Sequence, residues 1–571
     1  MKLKKYLLAL LLLVLTVTPR LLELKSFVTV DEPFWLSVGA NYYYALAQRE
    51  FQNTVYEYHP AVTTMSSITA AFLVDFADYR SYGQGYFDVD KEKFDPFIVE
   101  HGHDPLHLLY LSRLFQVAVI TILTLLIFYF LSRLIGEKKA FLATALISCS
   151  PYFLGHSRVL SHEAMVSFFA LTSVFGLMTY LESERKWFYL LLSAAAAAIA
   201  QLTKSSAMAM FPVIGLILAV SVFEKARERG FKSALLDHLK IFGIWFSLLL
   251  LVYFLVWPGM WVAPGKMLYE VYGNAFSYAF QGSRLQVTQE LQPSQFNTDS
   301  VGKTAIMYVT YILESGTLVT WAGVVLSAAS LFQRRGSQPS RIEKKLVAYL
   351  LTLAVMFVLL FSIAQGLNYR HYVMTAHVSM SAIGALGWAF WVGWFGEKQA
   401  AGNIRWRAQT IGTALLILLQ LAEGAAFFPY FYTYYNPLVA AVTGHPPASN
   451  YGEGIEQAAA YLAQKPGSES LKVFSYRGRG PFSYFFPGKT IILNPLFMED
   501  PGMAPMFERL EQADYIVITD TLGLRSERNA LFVQNLNSIP PEHSIYIKGV
   551  SPIRIYRVAD LPPSFYETLS K

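Results

Sequence analysis

The run Leu114–Ser132, LFQVAVITILTLLIFYFLS, contains no charged residue and decides the class of this chain. A helix of this length crosses the hydrocarbon core of a bilayer, which is about 30 Å thick. Further uncharged runs follow at Ala140–Gly155, Ala164–Leu181, Trp187–Thr203, Ser205–Phe223, Ile241–Trp261, Ser315–Phe332, Leu346–Ala364, Tyr372–Phe395 and Ala408–Tyr430. With the apolar segment Tyr6–Thr18, these runs predict a polytopic α-helical membrane protein of about eleven transmembrane helices.

The composition agrees with this class and excludes others. Of 571 residues, 54% are hydrophobic and only 15% are charged, which is too apolar for a soluble protein of this size. The net charge of +6 comes from Lys and Arg in short loops between apolar runs, so we do not predict nucleic-acid binding. The single cysteine, Cys149, lies in an apolar run and excludes an intramolecular disulfide.

Basic clusters in alternate loops predict the orientation of the chain in the membrane. Five clusters fall on the same side as Lys2: Arg133 to Lys139, Arg185-Lys186, Lys225 to Lys232, Arg334 to Lys345 and Lys398 to Arg407. Cytoplasmic loops carry such an excess, so the N-terminus is predicted to be cytoplasmic, on an uncleaved first helix of a multi-pass prokaryotic plasma-membrane protein. The C-terminus is then extracytoplasmic.

Two regions on the predicted outer side are long enough to be functional. The first is the loop 23–109, within a membrane domain that covers residues 1–430. The second is residues 431–571, whose pattern predicts a small α/β domain. Its predicted helices are Ile455–Leu462 and Met506–Ala513, and its predicted strands are Leu471–Tyr476, Ile491–Leu493, Tyr515–Ile518, Ile545–Ile547 and Ile553–Tyr556.

Two adjacent carboxylates, Asp31 and Glu32, follow the first apolar segment at the start of the long loop. Carboxylates at this place are commonly solvated loop charges. Here Pro33 fixes the backbone beside them, and Phe34 and Trp35 add aromatic rings of the kind that anchor at a membrane interface. A partly desolvated carboxylate can take a proton from a hydroxyl, so the pair predicts a general base.

Isolated cations and a histidine form a second candidate group on the same side. His59 precedes Pro60 and is therefore held in an extended turn, where it is either a structural loop residue or an imidazole that donates to a phosphate. Arg158, Lys204 and Arg370 lie at predicted outer helix ends, where the alternative is ordinary snorkelling of each side chain to the interface. Their common side favours a site for one anionic group. Glu163 and Tyr372 accompany them and complete the candidate substrate-binding residues.

A histidine-rich run, His101-Gly102-His103-Asp104 with His107, raises the question of a metal. Its spacing fits no specific ligand motif, and we predict no metal site there. No cofactor is predicted with certainty, and a requirement for a divalent cation stays open.

The order of short motifs along the chain resembles one family of membrane enzymes. The motifs are Asp31-Glu32, His59-Pro60, Ser150-Pro151 followed by Arg158 and Glu163, Leu202-Thr203-Lys204, Arg370-His371-Tyr372, and Tyr434-Tyr435-Asn436-Pro437-Leu438. They resemble the protein O-mannosyltransferase and aminoarabinose-transferase superfamily. These C-type (GT-C) glycosyltransferases use polyprenyl-phosphate-linked sugars.

The resemblance implies roles for several residues. Asp31 would be the catalytic base with Glu32 as its acidic neighbour, and Lys204 and Arg370 would face the lipid phosphate. The first loop would form interfacial helices over the cavity. In the protein mannosyltransferases a second proline and then a lysine usually follow the His-Pro turn, whereas this chain has Ala61 to Thr64, so the sugar and the acceptor stay open.

The sequence therefore predicts an inverting membrane glycosyltransferase that moves a sugar from a polyprenyl-phosphate donor to an acceptor hydroxyl on the outer face. The acceptor is a protein, a lipid or a glycan, and membrane lipids surround the chain. Two alternatives stay open: a transporter or flippase of lipid-linked sugars, and a non-catalytic envelope assembly protein. A transporter does not explain a long first loop that opens with a carboxylate pair, and a non-catalytic protein is favoured if Asp31 can be lost without effect.

Overall fold

The computed structural model describes residues 2–56, 59–88, 93–183, 185–281, 299–332, 338–364, 369–399, 403–444, 449, 451–493, 509–524 and 526–570. The N-terminal part contains α1 (Lys2–Leu21), α2 (Glu32–Gln48), α3 (Val62–Asp75) and α4 (Phe94–Glu100). Three of these helices lie in the first loop, as the resemblance implies.

The membrane region continues with a series of longer helices. These are α5 (Pro105–Ile135), α6 (Glu137–Ser148), α7 (Pro151–His156), α8 (His162–Glu182), α9 (Trp187–Thr203), α10 (Phe211–Arg229), α11 (Phe231–Val256), α12 (Gly259–Val262), α13 (Pro264–Leu268), α14 (Asn274–Gln281), α15 (Val301–Ser315), α16 (Leu318–Leu331), α17 (Arg341–Ile363), α18 (Met374–Gln399), α19 (Asn403–Ala425) and α20 (Pro437–Thr443).

Among the described residues, seven helical segments are long and apolar enough to cross a membrane, and α15 with α16 makes an eighth if that bent pair is one span. The other three predicted spans are helical but shorter or broken. The apolar helices Tyr6–Leu21 and α9 have fewer residues, and the predicted run Ala140–Gly155 is divided between α6 and α7.

Prolines explain two of the three breaks in the predicted spans. Pro151 begins α7, and its ring holds Ser150 in an extended conformation, so α6 cannot continue into α7. Pro258 has the same effect on Trp257, which is extended at the end of α11. At the third break, α15 and α16 meet at an angle of 111°. The Thr317 side chain caps the first turn of α16 there.

The helices differ in how much of their surface the protein covers. The apolar window of α8 is wholly buried, and that of α18, with the turn before it, is 89% buried. Only 22% of the corresponding windows of α11 and α19 is buried. Since an apolar helix face left uncovered by protein can face lipid, α8 and α18 form the centre of the bundle and α11 and α19 its periphery.

A sheet domain follows the membrane region. It contains α21 (Ile455–Ala463), β1 (Lys472–Tyr476), β2 (Lys489–Leu493), β3 (Tyr515–Thr519), α22 (Glu527–Asn537), β4 (His543–Ile545), β5 (Ile553–Arg557) and α23 (Pro563–Ser570). The strand order is β2-β1-β3-β5-β4. Strands β2, β1 and β3 are parallel, and β5 and β4 are antiparallel to their neighbours.

The predicted architecture, a polytopic helical region with a small α/β domain, is confirmed. Strand β4 differs from its prediction: it was predicted at Ile545–Ile547, whereas in the structure it ends at Ile545. It ends there because Ile545 pairs with Ile553, and the Ile547 carbonyl accepts from Val550 N in the connecting turn. Helices α22 and α23 were not predicted, and the start of the predicted helix Met506–Ala513 lies outside the described residues.

The sheet domain packs on the start of α2. The turn after β1 brings Gly480, with φ of +82°, so close to Pro33 that a Cβ atom would lie 2.1 Å from the proline Cγ. In the same turn, Arg479 binds the Asp95 carboxylate at 2.9 Å and the Ser37 hydroxyl at 2.6 Å. Only glycine tolerates both the backbone conformation and the contact, so this turn is built for close packing.

A buried ion pair fixes the other side of the same segment. Arg113 on α5 donates to both carboxylate oxygens of Glu32, at 2.7 and 2.5 Å, and both side chains are almost fully buried. Glu32 also accepts from the Thr29 amide and hydroxyl and from Leu160 N. The pair therefore joins the start of α2, the helix α5 and the turn before α8.

This environment controls the ionisation of Glu32. Burial by itself raises the pKa of a carboxyl group, but the charge and hydrogen bonds of Arg113 outweigh burial and lower the pKa of Glu32. The pair therefore contributes its full stability at neutral pH, and the contribution is lost only as pH falls through that lowered pKa.

We expect Arg113→Leu to destabilise the protein by roughly 3–5 kcal/mol, because Glu32 would remain buried without its cation. Combining it with Glu32→Leu should restore part of the loss, since no charge is then left unpaired. Unfolding of the solubilised protein in a denaturing-detergent titration measures the effect. Lys225→Ala, which breaks an exposed pair with Glu228, is the control. A single Arg113→Leu variant as stable as this control would contradict the role of the pair.

Candidate active site

Asp31 lies at the N-terminal end of α2, directly before Glu32. Its side chain makes no capping bond to the helix and is half-buried. It accepts a hydrogen bond from the phenol of Tyr451. Among the described residues, no Lys, Arg or His lies within ion-pair distance of Asp31, so its carboxylate is not neutralised as that of Glu32 is.

Tyr451 comes from the segment that leads into the sheet domain, 420 positions away from Asp31 in sequence. Its backbone is fixed on both sides: its carbonyl accepts from Val30 N at 3.0 Å, and its amide donates to Glu453 at 2.6 Å. Burial, followed by the charge of Asp31, raises the pKa of Tyr451 well above its ordinary value. The phenol therefore stays protonated at neutral pH and acts as a donor.

Lys204 and Glu163 form an ion pair on two neighbouring membrane helices. Lys204 ends α9, Glu163 lies in the first turn of α8, and Lys204 Nζ is 2.5 Å from Glu163 Oε1. The ammonium group also lies 4.5 Å from the centre of the Tyr372 ring, a cation–π contact. Because Lys204 is only 4% exposed, its charge is held by these two partners.

Aromatic contacts connect the Asp31 group with the Lys204 group. The His371 ring lies 5.7 Å from that of Tyr451 and meets the Tyr372 ring edge-on at 4.9 Å. On the other side, the His162 ring is perpendicular to that of Trp35 at 4.2 Å. We call these eight side chains together the site ring: Asp31, Trp35, His162, Glu163, Lys204, Tyr372, His371 and Tyr451.

His59 lies at the edge of the site ring. Its imidazole centre is 6.3 Å from that of Trp35 and 5.8 Å from that of His162, and its backbone forms a β-bridge with Tyr56. His162 donates or accepts through Nδ1 to Thr64 at 2.6 Å. Its buried Nε2 has no hydrogen-bond partner among the described residues, so a polar atom is left for a substrate.

Arg370 lies next to the site ring, directly before His371. Its guanidinium donates to the Ser315 hydroxyl at 2.9 Å and to the Tyr434 carbonyl at 2.7 Å, and it stacks on Tyr152 at 4.6 Å. The side chain is half-buried and uses two of its nitrogens in these bonds. Donors therefore remain for an anion.

The structure places two predicted site residues in the core instead. Arg158 is fully buried, donates to the carbonyls of Leu22 and Pro429, and lies against Phe27 and Phe431. Burial comes first among the causes that lower the pKa of Arg158 to about 9. Glu32, the second predicted carboxylate, is occupied by the pair with Arg113. The site ring thus gathers Asp31, Glu163, Lys204 and Tyr372 from the predicted residues.

No group of three or more His, Cys, Asp or Glu side chains is arranged to hold a metal ion in the described part of the chain. In the histidine run, His103 and His107 both approach Asp75, at 3.3 and 3.6 Å. The ammonium of Lys25 is 3.1 Å from His107 Nδ1. These side chains therefore form a hydrogen-bonded cluster at the end of α3.

Sequence reasoning did not include four members of the site ring among the predicted site residues: Trp35, His162, His371 and Tyr451. For Tyr451 the sequence carries no signal, because its loop reaches Asp31 only through docking of the sheet domain. His162 has a signal in its position beside Glu163 at the start of a buried helix. Chemically, the site ring contains the carboxylate of Asp31, which has no cationic partner among the described residues. It also contains the cation Lys204, which is paired with the carboxylate of Glu163.

Comparisons with solved structures give matches of low identity. ArnT from Cupriavidus metallidurans bound to undecaprenyl phosphate is 12% identical, with 96% of this chain and 97% of that chain covered and a TM-score of 0.48. The S. cerevisiae Pmt1–Pmt2 complex bound to the sugar donor is 19% identical over 52% and 38%, with a TM-score of 0.36. The oligosaccharyltransferase AglB from Archaeoglobus fulgidus is 12% identical over 94% and 71%, with a TM-score of 0.42.

No curated protein sequence matches the chain significantly. A family match is found within the membrane region: residues 111–257, from α5 to the end of α11, match the family described as dolichyl-phosphate-mannose-protein mannosyltransferase. This segment carries Glu163 and Lys204 of the site ring. Over these residues the chain is similar to the protein mannosyltransferases, in agreement with the resemblance that the sequence motifs indicate.

Proposed function

We propose that this protein transfers a sugar from a polyprenyl-phosphate-linked donor to an acceptor hydroxyl at the outer face of the membrane, with Asp31 as the general base. One observation carries the proposal. Of the two adjacent carboxylates, Glu32 is neutralised in the core, whereas Asp31 is half-buried, is oriented by Tyr451 and has no cationic partner among the described residues. A carboxylate in this state is suited to accept a proton.

The proposed reaction is a single displacement. Asp31 takes the proton from the acceptor hydroxyl, and the oxygen attacks the anomeric carbon of the donor. The bond from that carbon to the phosphate oxygen breaks, and polyprenyl phosphate leaves with the electron pair. A phosphate leaves without protonation, so no general acid is required. One displacement inverts the configuration at the anomeric carbon.

Lys204 is the proposed contact for the leaving phosphate, with Arg370 as a second cation. Lys204 is paired with Glu163. A phosphate that binds beside Lys204 shares the ammonium with Glu163 and with the face of Tyr372. His59 and the free Nε2 of His162 lie on the Trp35 side and supply further hydrogen bonds to the substrate.

Glu32 and Arg158 are proposed as positioning residues. Glu32 fixes the turn that carries Asp31, through Thr29, Leu160 and Arg113. Arg158 donates to the carbonyls of Leu22, which follows α1, and Pro429, which precedes α20, and so holds these two segments together. Among the described residues, neither side chain forms a hydrogen bond or an ion pair with a member of the site ring, so we propose that both act through the backbone that they hold.

The proposal includes the orientation and the division of the chain. The N-terminus is placed in the cytoplasm, the site and residues 431–571 outside, and the membrane domain at 1–430. The docking of Gly480 on Pro33 and of Tyr451 on Asp31 supports this arrangement, because it requires the first loop and the sheet domain to share one side of the membrane.

We expect Asp31→Asn to lower kcat by a factor of about 10²–10⁴, because an amide cannot accept the proton. The measurement is sugar transfer in liposomes that contain purified protein, a polyprenyl-phosphate hexose and a panel of acceptors. Asp78→Asn removes an exposed carboxylate in the same loop and should leave transfer unchanged. Full transfer by the Asp31→Asn variant would remove Asp31 from the mechanism, and movement of the donor across the bilayer without transfer would support a flippase.

Tyr451→Phe should lower kcat by a factor of about 10–100, because the loss of a hydrogen bond to a charged group costs roughly 1.5–3 kcal/mol and leaves Asp31 less well oriented. The KM values for donor and acceptor should change little, since Tyr451 acts on the base. Tyr546→Phe, at a position 76% exposed in the same domain, is the matched control. If the KM values rise and kcat does not fall, Tyr451 binds substrate instead of orienting Asp31.

For the phosphate contact we expect the double variant Lys204→Met/Glu163→Gln to bind polyprenyl phosphate at least tenfold more weakly, about 1.4 kcal/mol. Changing both partners leaves no unpaired charge in the core, so folding should be retained. Arg370→Gln should have a smaller effect of the same direction. Lys303→Met, at an exposed position, is the control, and unchanged affinity in the double variant would place the phosphate elsewhere.

A further inference from the structure

A cavity of about 300 Å³ lies beside the site ring, between α2, α3 and the turn Phe51–Asn53. None of its lining residues belongs to the site ring. The polar and aromatic lining consists of Asn41, Tyr42, Asn53, Tyr56, Tyr86 and Lys266, with Val38, Val55 and Met65 between them.

The cavity and Asp31 lie on the same face of α2. Positions 31, 35, 38 and 42 follow the spacing i, i+4, i+7 and i+11, which keeps side chains in one line along a helix. Asp31 and Trp35 belong to the site ring, whereas Val38 and Tyr42 line the cavity. At 1.5 Å per residue, the lining begins about 10 Å from Asp31 along the helix axis and continues to about 16 Å.

Tyr56 connects the two places. It lines the cavity, and its ring meets those of Phe34 and Trp35 at 5.3 and 6.2 Å. Trp35 in turn contacts His162 of the site ring. A chain of aromatic contacts therefore connects the cavity with His162 of the site ring.

The polar groups of the cavity are held in place before any ligand binds. Asn41 exchanges two hydrogen bonds with the backbone of Phe87, at 2.8 and 2.9 Å. Tyr86 donates to Glu50 at 2.5 Å, and the Asn53 amide nitrogen is 3.3 Å from the Tyr86 hydroxyl. Lys266 donates to the Gln52 carbonyl at 3.0 Å. Preorganised polar groups of this kind give orientation and specificity to a binding site.

This lining matches the chemistry of a saccharide. A sugar ring has an apolar face of C–H groups that packs on an aromatic ring and a rim of hydroxyl groups that bond to amides and phenols. The lining contains three tyrosines and two asparagines. An isoprenoid chain needs an apolar groove, and the lipid phosphate already has its proposed place at Lys204.

We infer that this cavity binds a saccharide portion of the acceptor, so that the acceptor is a glycan longer than one monosaccharide. The inference rests on the proposed function, since it assumes that Asp31 receives a proton from the acceptor. The terminal sugar presents its hydroxyl at Asp31. The next units extend along α2, past Trp35 and Tyr56, and enter the cavity.

The test measures binding separately from transfer. Full-length protein in lipid nanodiscs is titrated with three free trisaccharides, namely mannotriose, chitotriose and trigalacturonic acid, and binding is followed by ligand-observed NMR. We expect at least one of them to bind. Tyr86→Ala and Asn53→Ala should weaken that binding at least tenfold and raise the acceptor KM, with kcat and donor KM nearly unchanged. Asp31→Asn should bind the trisaccharide as the wild type does.

Two controls make the outcomes distinct. Tyr546→Ala removes an exposed tyrosine outside the cavity and should change nothing, and the folding of each cavity variant is checked by its unchanged donor affinity. Binding of no trisaccharide, or binding that the cavity variants do not weaken, would overturn the inference. It would also be overturned if a serine-rich hexapeptide bound and lost affinity in the cavity variants. If Asp31→Asn retained transfer, the proposed function would fail while the binding result stood.

Discussion

The bidentate ion pair between Glu32 and Arg113 is the interaction on which the site depends. It is buried, and a buried carboxylate without its cation is too costly to keep. The pair therefore fixes the first residue of α2, and Asp31, one position earlier, is fixed with it. Two neighbouring carboxylates thus have opposite properties: Glu32 is neutralised in the core, and Asp31 belongs to the site ring, where the Tyr451 phenol is its side-chain partner in the part of the chain that the structure describes.

The segment Val28–Pro33 is held from two directions. Arg113 holds it from the membrane helices, and Gly480 and Tyr451 hold it from the sheet domain. The geometry of the Asp31 carboxylate is therefore set jointly by the two parts of the chain. The part of the chain that leads into the sheet domain therefore contributes a side chain, Tyr451, directly to the site ring.

The sequence was sufficient for the class of fold, because that class depends on a local signal, uncharged runs of sufficient length. A second local signal, a carboxylate pair beside a proline, marked Asp31 and Glu32 as candidates, and the role of Asp31 stays a prediction. The sequence could not separate Asp31 from Glu32, since the cation that distinguishes them is 81 positions away. Arg158 and Lys204 also had the same pattern in sequence, yet one packs against backbone carbonyls and the other against Glu163. The breaks at Pro151 and Pro258 had a clear local cause that hydropathy alone does not register.

The charges of the site ring also bear on the rate of the proposed reaction. Before transfer, Asp31 is a carboxylate and the donor phosphate carries one negative charge. After transfer, Asp31 holds the proton and the phosphate has gained a second negative charge. The reaction therefore moves one negative charge from the Asp31 end of the ring to the Lys204 end. A fixed cation at that end, backed by Arg370, favours the transition state over the ground state, because it acts where charge develops.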